Sequence, residues 1–214
     1  MYEYTLLSAQ QAAAFLAASL LITLAPGPDN LMVLSLGMAR GKKAGTAFGL
    51  GCALGCLNHT VLAALGVSAL IAASQFAYAA LRIAGGLYLL WLGLQAIRHA
   101  LIVDEPRNAV NAAQSLRQLF IQGLAANAIN PKVILFFLAF LPQFVDNTRR
   151  DAGWQMLQLG FVFTLQAALV FCAIGWFAGL LGARLSRNPA LAAWLHRLSG
   201  GLFVLLAVKL ISGR

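Results

Sequence analysis

An aspartate and a lysine stand beside proline-containing interruptions of long apolar runs, where charged side chains are unusual. Ala25-Pro-Gly-Pro-Asp-Asn30 interrupts the first run, and Asn130-Pro-Lys132 interrupts a later one. Pro26 and Pro28 cannot donate backbone hydrogen bonds, and Gly27 allows the chain to leave helical geometry, so carbonyls one turn earlier lose their partners. Irregular backbone of this kind is tolerated inside a membrane only where it is buried in protein or lines a wet cavity.

Asp29 is the acidic group of the first interruption. A carboxylate at the centre of a membrane helix costs about 2.5–3.5 kcal/mol on insertion scales, so its presence there needs a function. We expect Asp29 to bind a cationic group or to take up and release a proton, with Asn30 offering both a donor and an acceptor. The alternative is that the hexapeptide ends a short helix at an interface and Asp29 caps the next helix; the apolar flanks 12–24 and 31–36 disfavour it.

Lys132 is the basic group of the second interruption. Asn127, Asn130, Pro131 and Lys132 precede the apolar residues 133–141. Lys132 either extends its ammonium group to an interface or faces a cavity, where it pairs with Asp29 or holds a substrate carboxylate. In the second case the free N–H groups of the half-helix after Pro131 reinforce an anion site. An acid near one break and a base near the other suit a zwitterion.

Three further polar residues, Asn58, His59 and Gln166, lie within apolar runs. Each either hydrogen-bonds a neighbouring helix or lines the cavity, and the first role is the commoner one in membranes. Asn58 and His59 are adjacent and project about 100° apart on a helix, so both cannot face one point squarely.

The sequence offers little for catalysis or redox chemistry. Cys52, Cys56 and Cys172 lack metal-ligand spacing and are expected to be buried, reduced thiols. A thiol-redox carrier would be expected to place a cysteine near each helix break, and these cysteines do not follow that pattern. Without a nucleophile–base pair, a metal cluster or a phosphate loop in the sequence, we expect neither an enzyme nor a metal or cofactor.

The elements that carry these residues are membrane helices. The 214 residues are 61% hydrophobic and 10% charged, against roughly 45–50% and about 25% in soluble domains. The apolar residues do not alternate with period two, so a barrel is excluded and an all-α integral membrane protein is predicted. The long apolar stretches are six: 11–39, 47–73, 78–97, 119–144, 156–181 and 198–211.

Basic residues predict the orientation of the spans. If the six spans alternate, four basic residues fall on one side (Arg82, Arg149, Arg150 and Arg214) and nine on the other: Arg40, Lys42, Lys43, Arg98, Arg107, Arg117, Arg184, Arg187 and Arg197. The nine-residue side is then cytoplasmic, and both termini face outward, on the periplasmic side. The net charge is +9. The basic residues lie between apolar runs and do not form a stripe, which indicates contacts with anionic lipid and excludes a nucleic-acid partner.

Two halves of the chain look alike. Arg82-Ile-Ala-Gly-Gly-Leu-Tyr-Leu-Leu90 resembles Arg197-Leu-Ser-Gly-Gly-Leu-Phe-Val-Leu205, and spans one and four both carry a proline break. The single transmembrane domain is therefore divided into repeat one (1–98), a polar linker (99–118) and repeat two (119–214), with three spans each and opposite orientation. Inverted repeats with broken helices are typical of secondary transporters; the alternative is that apolar helices resemble one another by composition. The Gly-Gly pairs, with Gly49, Gly51 and Gly55, are predicted at close helix contacts.

The two interruptions, with Asn130-Pro-Lys-Val-Ile-Leu-Phe-Phe-Leu-Ala-Phe-Leu-Pro-Gln-Phe144 as the longer second motif, resemble the signatures of the LysE/RhtB superfamily of bacterial amino-acid exporters. The length, the spacing and the Gly-Gly-Leu-Tyr-Leu motif agree with that resemblance. It implies secondary-active export of amino acids or close derivatives across the bacterial inner membrane, driven by the membrane potential or by proton antiport. The positions that it marks as functional are Pro26, Gly27, Pro28, Asp29, Asn30, Asn130, Pro131 and Lys132.

The partners expected from this reading are an amino-acid substrate, protons as coupling ion and membrane lipid, with a homo-oligomer left open. Two other classes stay open as well. One is a passive channel or a carrier for a different small solute, and the other, less favoured, is a membrane thiol-redox carrier.

Overall fold

Almost all of the residues that the structure describes are helical. The computed structural model describes residues 7–98, 114–145 and 151–212, so most of the predicted linker and both termini lie outside it. A π-helical segment, Ala63–Val67, follows the α-helix that ends at Leu62. A second π-helical segment, Phe136–Phe140, continues into a 3-10 turn, Leu141–Phe144. The α-helices are α1 (Ala9–Leu24), α2 (Pro28–Arg40), α3 (Lys42–Leu62), α4 (Ser68–Ala73), α5 (Gln75–Arg98), α6 (Leu116–Ala128), α7 (Pro131–Leu135), α8 (Ala152–Trp176), α9 (Ala178–Arg187) and α10 (Pro189–Ser212).

Several of these helices are long and apolar enough to cross a membrane. Four qualify by themselves in the described part of the chain: Lys42–Val67, Gln75–Arg98, Ala152–Trp176 and Ala193–Ser212. Two bent pairs qualify when each is taken as one span, namely α1 with α2, bent by 58°, and α6 with α7 and its extension to Phe144, bent by 52°. The all-α membrane fold is thereby confirmed, with four to six spans.

The helix bounds differ from the predicted spans in the second half. The last predicted span was 198–211, whereas α10 begins at Pro189, and the fifth ends at Trp176 because the separate helix α9 follows it. Proline suits the first turn of a helix, where its missing N–H has no partner to lose. The helix α6 begins at Leu116, inside the segment predicted as linker.

Both bent pairs begin with the same capping box. The Ser8 hydroxyl accepts a hydrogen bond from the backbone N–H of Gln11 at 3.1 Å, and the Gln11 side chain bonds back to the Ser8 N–H. Ser115 and Gln118 repeat this arrangement at the start of α6, where the backbone N–H of Gln118 donates to the Ser115 hydroxyl at 3.3 Å. The reciprocal bonds satisfy N–H groups that a helix start would otherwise leave without partners.

The core forms where α3 packs against α2, α6 and α8, while α5 pairs chiefly with α10. Glycines bring the α3 and α6 backbones together: a Cβ built on Gly51 would lie 2.0 Å from the Phe120 carbonyl oxygen, and one on Gly123 would lie 2.1 Å from that of Phe48. The close contacts predicted at Gly49, Gly51, Gly55, Gly85, Gly86 and Gly200 are confirmed, whereas a Cβ on Gly201 would meet nothing within 4 Å.

Contacts between helix ends show how the segments run. At one end, Arg40 donates to the Gln114 carbonyl at the approach to α6, and the Lys42 ammonium lies 3.7 Å from the centre of the Trp176 ring at the end of α8. At the opposite end, the Gln11 side-chain amide donates to the Phe144 carbonyl at 3.2 Å. The bent pair α1–α2 therefore runs opposite to the bent pair that starts with α6.

Candidate functional site

The first break separates α1 from α2. Gly27 is the N-cap of α2 with extended backbone (φ −167°, ψ 176°), Pro28 is the first helical residue and Asp29 the second. The alternative in which Asp29 caps the second helix is wrong, because Gly27 holds the cap position. Any residue adopts this backbone, so the need for Gly27 is spatial: a Cβ there would lie 3.1 Å from the Lys132 Nζ.

The second break separates α6 from α7 and repeats the same order of residues. Asn130 is the N-cap of α7, and its Oδ1 accepts the backbone N–H of Lys132 at 3.1 Å. Pro131 is the first helical residue and Lys132 the second. Asn127, in the last turn of α6, is fully buried.

Polar groups of each break are bonded to the other break. The Lys132 Nζ donates to the carbonyl oxygen of Ala25 at 2.8 Å, and the Asn127 Nδ2 donates to the Asp29 Oδ2 at 3.0 Å. Ala25 is the C-cap of α1, where carbonyls lack helical partners. Lys132 is only 8% exposed, so its side chain does not extend to an interface. The structure gives no direct ion pair between Asp29 and Lys132.

A small cavity lies between the breaks. Its polar lining comes from both breaks and from the helices beside them: Thr23, Asp29, Asn30, Cys56, Asn127 and Lys132. Its apolar lining is Ile22, Val133, Phe136, Phe163 and Phe171. One acid and one base thus face the same enclosed space.

Three buried polar atoms around the breaks have no protein partner. The Asn30 Nδ2 donates to the Thr23 carbonyl at 2.8 Å, but the Asn30 Oδ1 accepts nothing. The Gln166 Nε2 donates to the Thr23 hydroxyl at 2.8 Å, and its Oε1 is likewise unpaired. The Asn130 Nδ2 is a donor without an acceptor. Because an unpaired buried polar group costs about 1–3 kcal/mol, these atoms indicate a place where water or a solute completes the hydrogen bonding.

Asn58, His59 and Gln166, the three further polar candidates, differ in their positions relative to the cavity. His59 is buried, and its Nε2 bonds the backbone carbonyl of Asn127 at 3.1 Å, so it supports the second break without lining the cavity. Gln166 supports Thr23 in the same way. Asn58 is exposed and does not line the cavity, because it projects about 100° away from its buried neighbour.

Among the predicted residues, Asp29, Asn30, Asn127 and Lys132 line the cavity, whereas Pro26, Gly27, Pro28, Asn130 and Pro131 shape the backbone around it. Sequence reasoning missed the rest of the lining. Thr23 lies only a few residues before the first break, and this nearness could have identified it as a lining residue. Cys56 was predicted only to be a buried thiol. Its Sγ donates to the Asn127 Oδ1 at 3.7 Å.

The described residues show no arrangement suited to a metal ion. No group of three or more His, Cys, Asp or Glu side chains comes together in residues 7–98, 114–145 and 151–212. Cys52 and Cys56 are buried as expected, and Cys172 is only half-buried.

Comparison with known proteins identifies relatives along nearly the whole chain. A family model described as LysE type translocator matches residues 20–214. The threonine efflux protein of Escherichia coli (strain K12) is 32% identical over 200 residues, covering 89% of this chain and 92% of the relative. The leucine efflux protein of Enterobacter sp. (strain 638) is 31% identical over 199 residues, covering 92% and 93%.

A third relative, the homoserine/homoserine lactone efflux protein of Salmonella typhi, is 30% identical over 201 residues, with 94% of this chain and 96% of the relative covered. No solved structure matches the chain significantly.

Proposed function

The chain belongs to the LysE type translocator family, and from this membership and the cavity between the breaks we propose that it exports amino acids or close derivatives from the cytoplasm across the bacterial inner membrane. Family members are transporters and not enzymes. Relatives named for three different substrates are all efflux proteins, and this chain covers more than nine-tenths of each of them, which supports export as the direction of transport.

The observation that carries the proposal is the placement of opposite charges on one cavity. Asp29 and Lys132 both line it and are not paired with each other. An amino acid would place its ammonium group at the Asp29 carboxylate and the unpaired Asn30 Oδ1. Its carboxylate would accept hydrogen bonds from the Lys132 ammonium, where charge-assisted bonds are the strong ones.

We propose six spans in two inverted halves, with the cavity near the membrane midplane where the halves meet. The opposed direction of the two bent pairs, their matching capping boxes and the equal position of Pro28 and Pro131 support this arrangement. Alternating access would then expose the cavity to one side at a time. The side that carries Arg40 and Lys42 would be cytoplasmic, with both termini in the periplasm.

Proton coupling is the remaining part of the proposal. Asp29 would exchange a proton as the substrate leaves, since its carboxylate is the acidic group on the cavity. A passive channel or carrier for another solute is the competing function. The two differ in their response to an uncoupler, which collapses antiport-driven efflux and leaves passive flux running.

The direct test is to express the chain in a host fed dipeptides and to measure which amino acids leave the cells. We expect faster efflux of at least one amino acid than from cells with an empty vector, and loss of that difference on adding the uncoupler. An unchanged amino-acid profile, with the protein present in the membrane, contradicts the export proposal. Efflux that continues in the presence of the uncoupler contradicts the proton coupling and leaves the export proposal in place.

A further inference from the structure

We propose that the transported substrate is a neutral amino acid with an apolar side chain, and that the phenylalanines on the cavity select it. This inference rests on the proposed export function and deepens it by naming the substrate class. It comes from the division of the cavity lining into one polar and one apolar part.

The polar part consists of two hydrogen-bonded sets of side chains around the two breaks. Asn127 joins Asp29 to Cys56, because its side chain donates to the carboxylate at 3.0 Å and accepts from the thiol at 3.7 Å. In the second set, the Asn30 side chain donates to the Thr23 carbonyl oxygen at 2.8 Å. The unpaired Asn30 Oδ1 lies in this part of the lining together with the Asp29 carboxylate and the Lys132 ammonium, so the ammonium and carboxylate groups of a substrate are held here.

The apolar part is packed as an aromatic cluster. The rings of Phe136 and Phe163 have centroids 5.0 Å apart, and Phe137 lies behind them, 4.9 Å from Phe163. Phe171 lies two turns further along α8, on the same face as Phe163, and both are about 5% exposed or less. These side chains carry no polar atom, so a substrate side chain held against them finds no hydrogen-bond partner.

The charges on the cavity count against a charged substrate side chain. Asp29 and Lys132 are the acid and the base among its lining residues, and the main-chain groups of an amino acid engage both. A lysine-like substrate would bring a second cation, and a glutamate-like substrate a second anion, into a space with no remaining counter-charge. Burying an unpaired charge is strongly unfavourable.

Size and polarity should therefore decide which neutral substrates are taken. Valine and threonine have nearly the same shape and differ by a hydroxyl group, so they isolate the polarity of the pocket. Hydrophobic pockets discriminate against an added hydroxyl by up to about 100-fold. We expect valine to exceed threonine by about 10-fold or more, and leucine to exceed lysine by more than that.

The test is counterflow in liposomes containing the purified full-length protein, with labelled leucine, valine, threonine or lysine as probe. The expected order is leucine and valine above threonine, with lysine at the level of empty liposomes. Lysine or threonine uptake equal to that of leucine overturns the substrate class while leaving amino-acid transport in place. No uptake of any of the four, by protein that remains folded in detergent, counts against the proposed function itself.

Matched variants on α8 test the role of the phenylalanines. Phe163 lines the cavity, whereas Phe161, two residues earlier, is 63% exposed on the outer surface. Phe163→Ala should enlarge the pocket and raise phenylalanine counterflow relative to leucine about 10-fold, since a change in pocket size is worth about 10- to 200-fold. Phe161→Ala should leave the ratio unchanged.

A second substitution guards against misfolding. Phe163→Leu keeps an apolar side chain at the position and should shift the same ratio in the same direction by a smaller factor. A ratio that stays at the wild-type value in a folded Phe163→Leu protein, or that shifts equally in Phe161→Ala, overturns the selective role of the cavity phenylalanines.

Discussion

Asp29 and Lys132 hold the same position in two different helix breaks: each is the second residue of a helix whose first residue is proline. Each break also bonds to the other, through Lys132 to the Ala25 carbonyl and through Asn127 to the Asp29 carboxylate. Equivalent positions in the two breaks thus carry opposite charges. This relationship connects the two breaks to the polarity of the substrate that we propose.

Replacing Asp29 by asparagine should lower the initial rate of export at least about 10-fold. The neutral side chain neither attracts an ammonium group nor exchanges a proton. The shape and the capacity to accept from Asn127 are kept, so the protein should still insert. Efflux is measured in fed cells at matched membrane levels. Asp151→Asn, at the start of α8 and outside the cavity lining, is the control; a wild-type rate in Asp29→Asn would rule out the role.

Replacing Lys132 by methionine should weaken substrate binding at least about 10-fold, because a hydrogen bond between charged groups contributes roughly 1.5–3 kcal/mol. The wild-type protein should also discriminate leucine from leucine amide, which lacks the carboxylate, and the variant should lose that discrimination. The measurement is competition against labelled leucine in liposomes.

Lys209→Met is the matched control for that experiment, since the Lys209 ammonium lies 5.4 Å from the Phe144 ring centre, away from the cavity. A Lys132→Met protein that still prefers leucine to its amide would show that the lysine does not hold the carboxylate.

Replacing Gly27 by alanine should reduce export severalfold without preventing folding. The added Cβ would lie 3.1 Å from the Lys132 Nζ, so the ammonium group must shift by a few tenths of an ångström, which disturbs its hydrogen bond to the Ala25 carbonyl. Gly66→Ala, where a Cβ would meet nothing within 4 Å, should leave the rate unchanged. Equal rates for the two variants in fed cells would contradict the spatial explanation of Gly27.

Replacing Gly200 and Gly201 separately should have opposite effects on stability. A Cβ on Gly200 would lie 2.6 Å from the Gly93 carbonyl oxygen, and forcing groups into a packed contact costs about 1–3 kcal/mol. Gly201→Ala has open space and should stabilise α10 by about 0.4–1 kcal/mol through lower entropy of the unfolded chain. Thermal unfolding in detergent should give a lower midpoint for the first variant than for the second; the reverse order would exclude this packing of α10 on α5.

The polar half of the site was predictable because it violates a rule. Proline, asparagine and charged residues are costly in membrane helices, so Asp29 and Lys132 were visible as exceptions in apolar sequence. Phe163 and Phe171 could not be found in this way, since a phenylalanine on a cavity and one facing lipid look alike in a sequence; Phe161 and Phe163 show the difference.

Some of the fold was readable in the sequence and was missed. The pattern Ser-x-x-Gln occurs at Ser8 and at Ser115, and it marks the start of a helix at both places, which would have corrected the end of the linker. Which of Asn58 and His59 faces the interior could not be read from the sequence. Adjacent residues point in different directions on a helix, but which of them faces inward depends on the neighbours of α3, which no local pattern specifies.

The pairing of α5 with α10 has a consequence for the order of assembly during synthesis. Gly86 and Gly93 of α5 pack against α10, a helix that leaves the ribosome much later, after α6, α8 and α9. Until then Gly86 and Gly93 present a shallow groove to lipid or to an insertion chaperone. A chain truncated before Pro189 would keep that groove uncovered, and quality-control proteases of the membrane should remove it quickly.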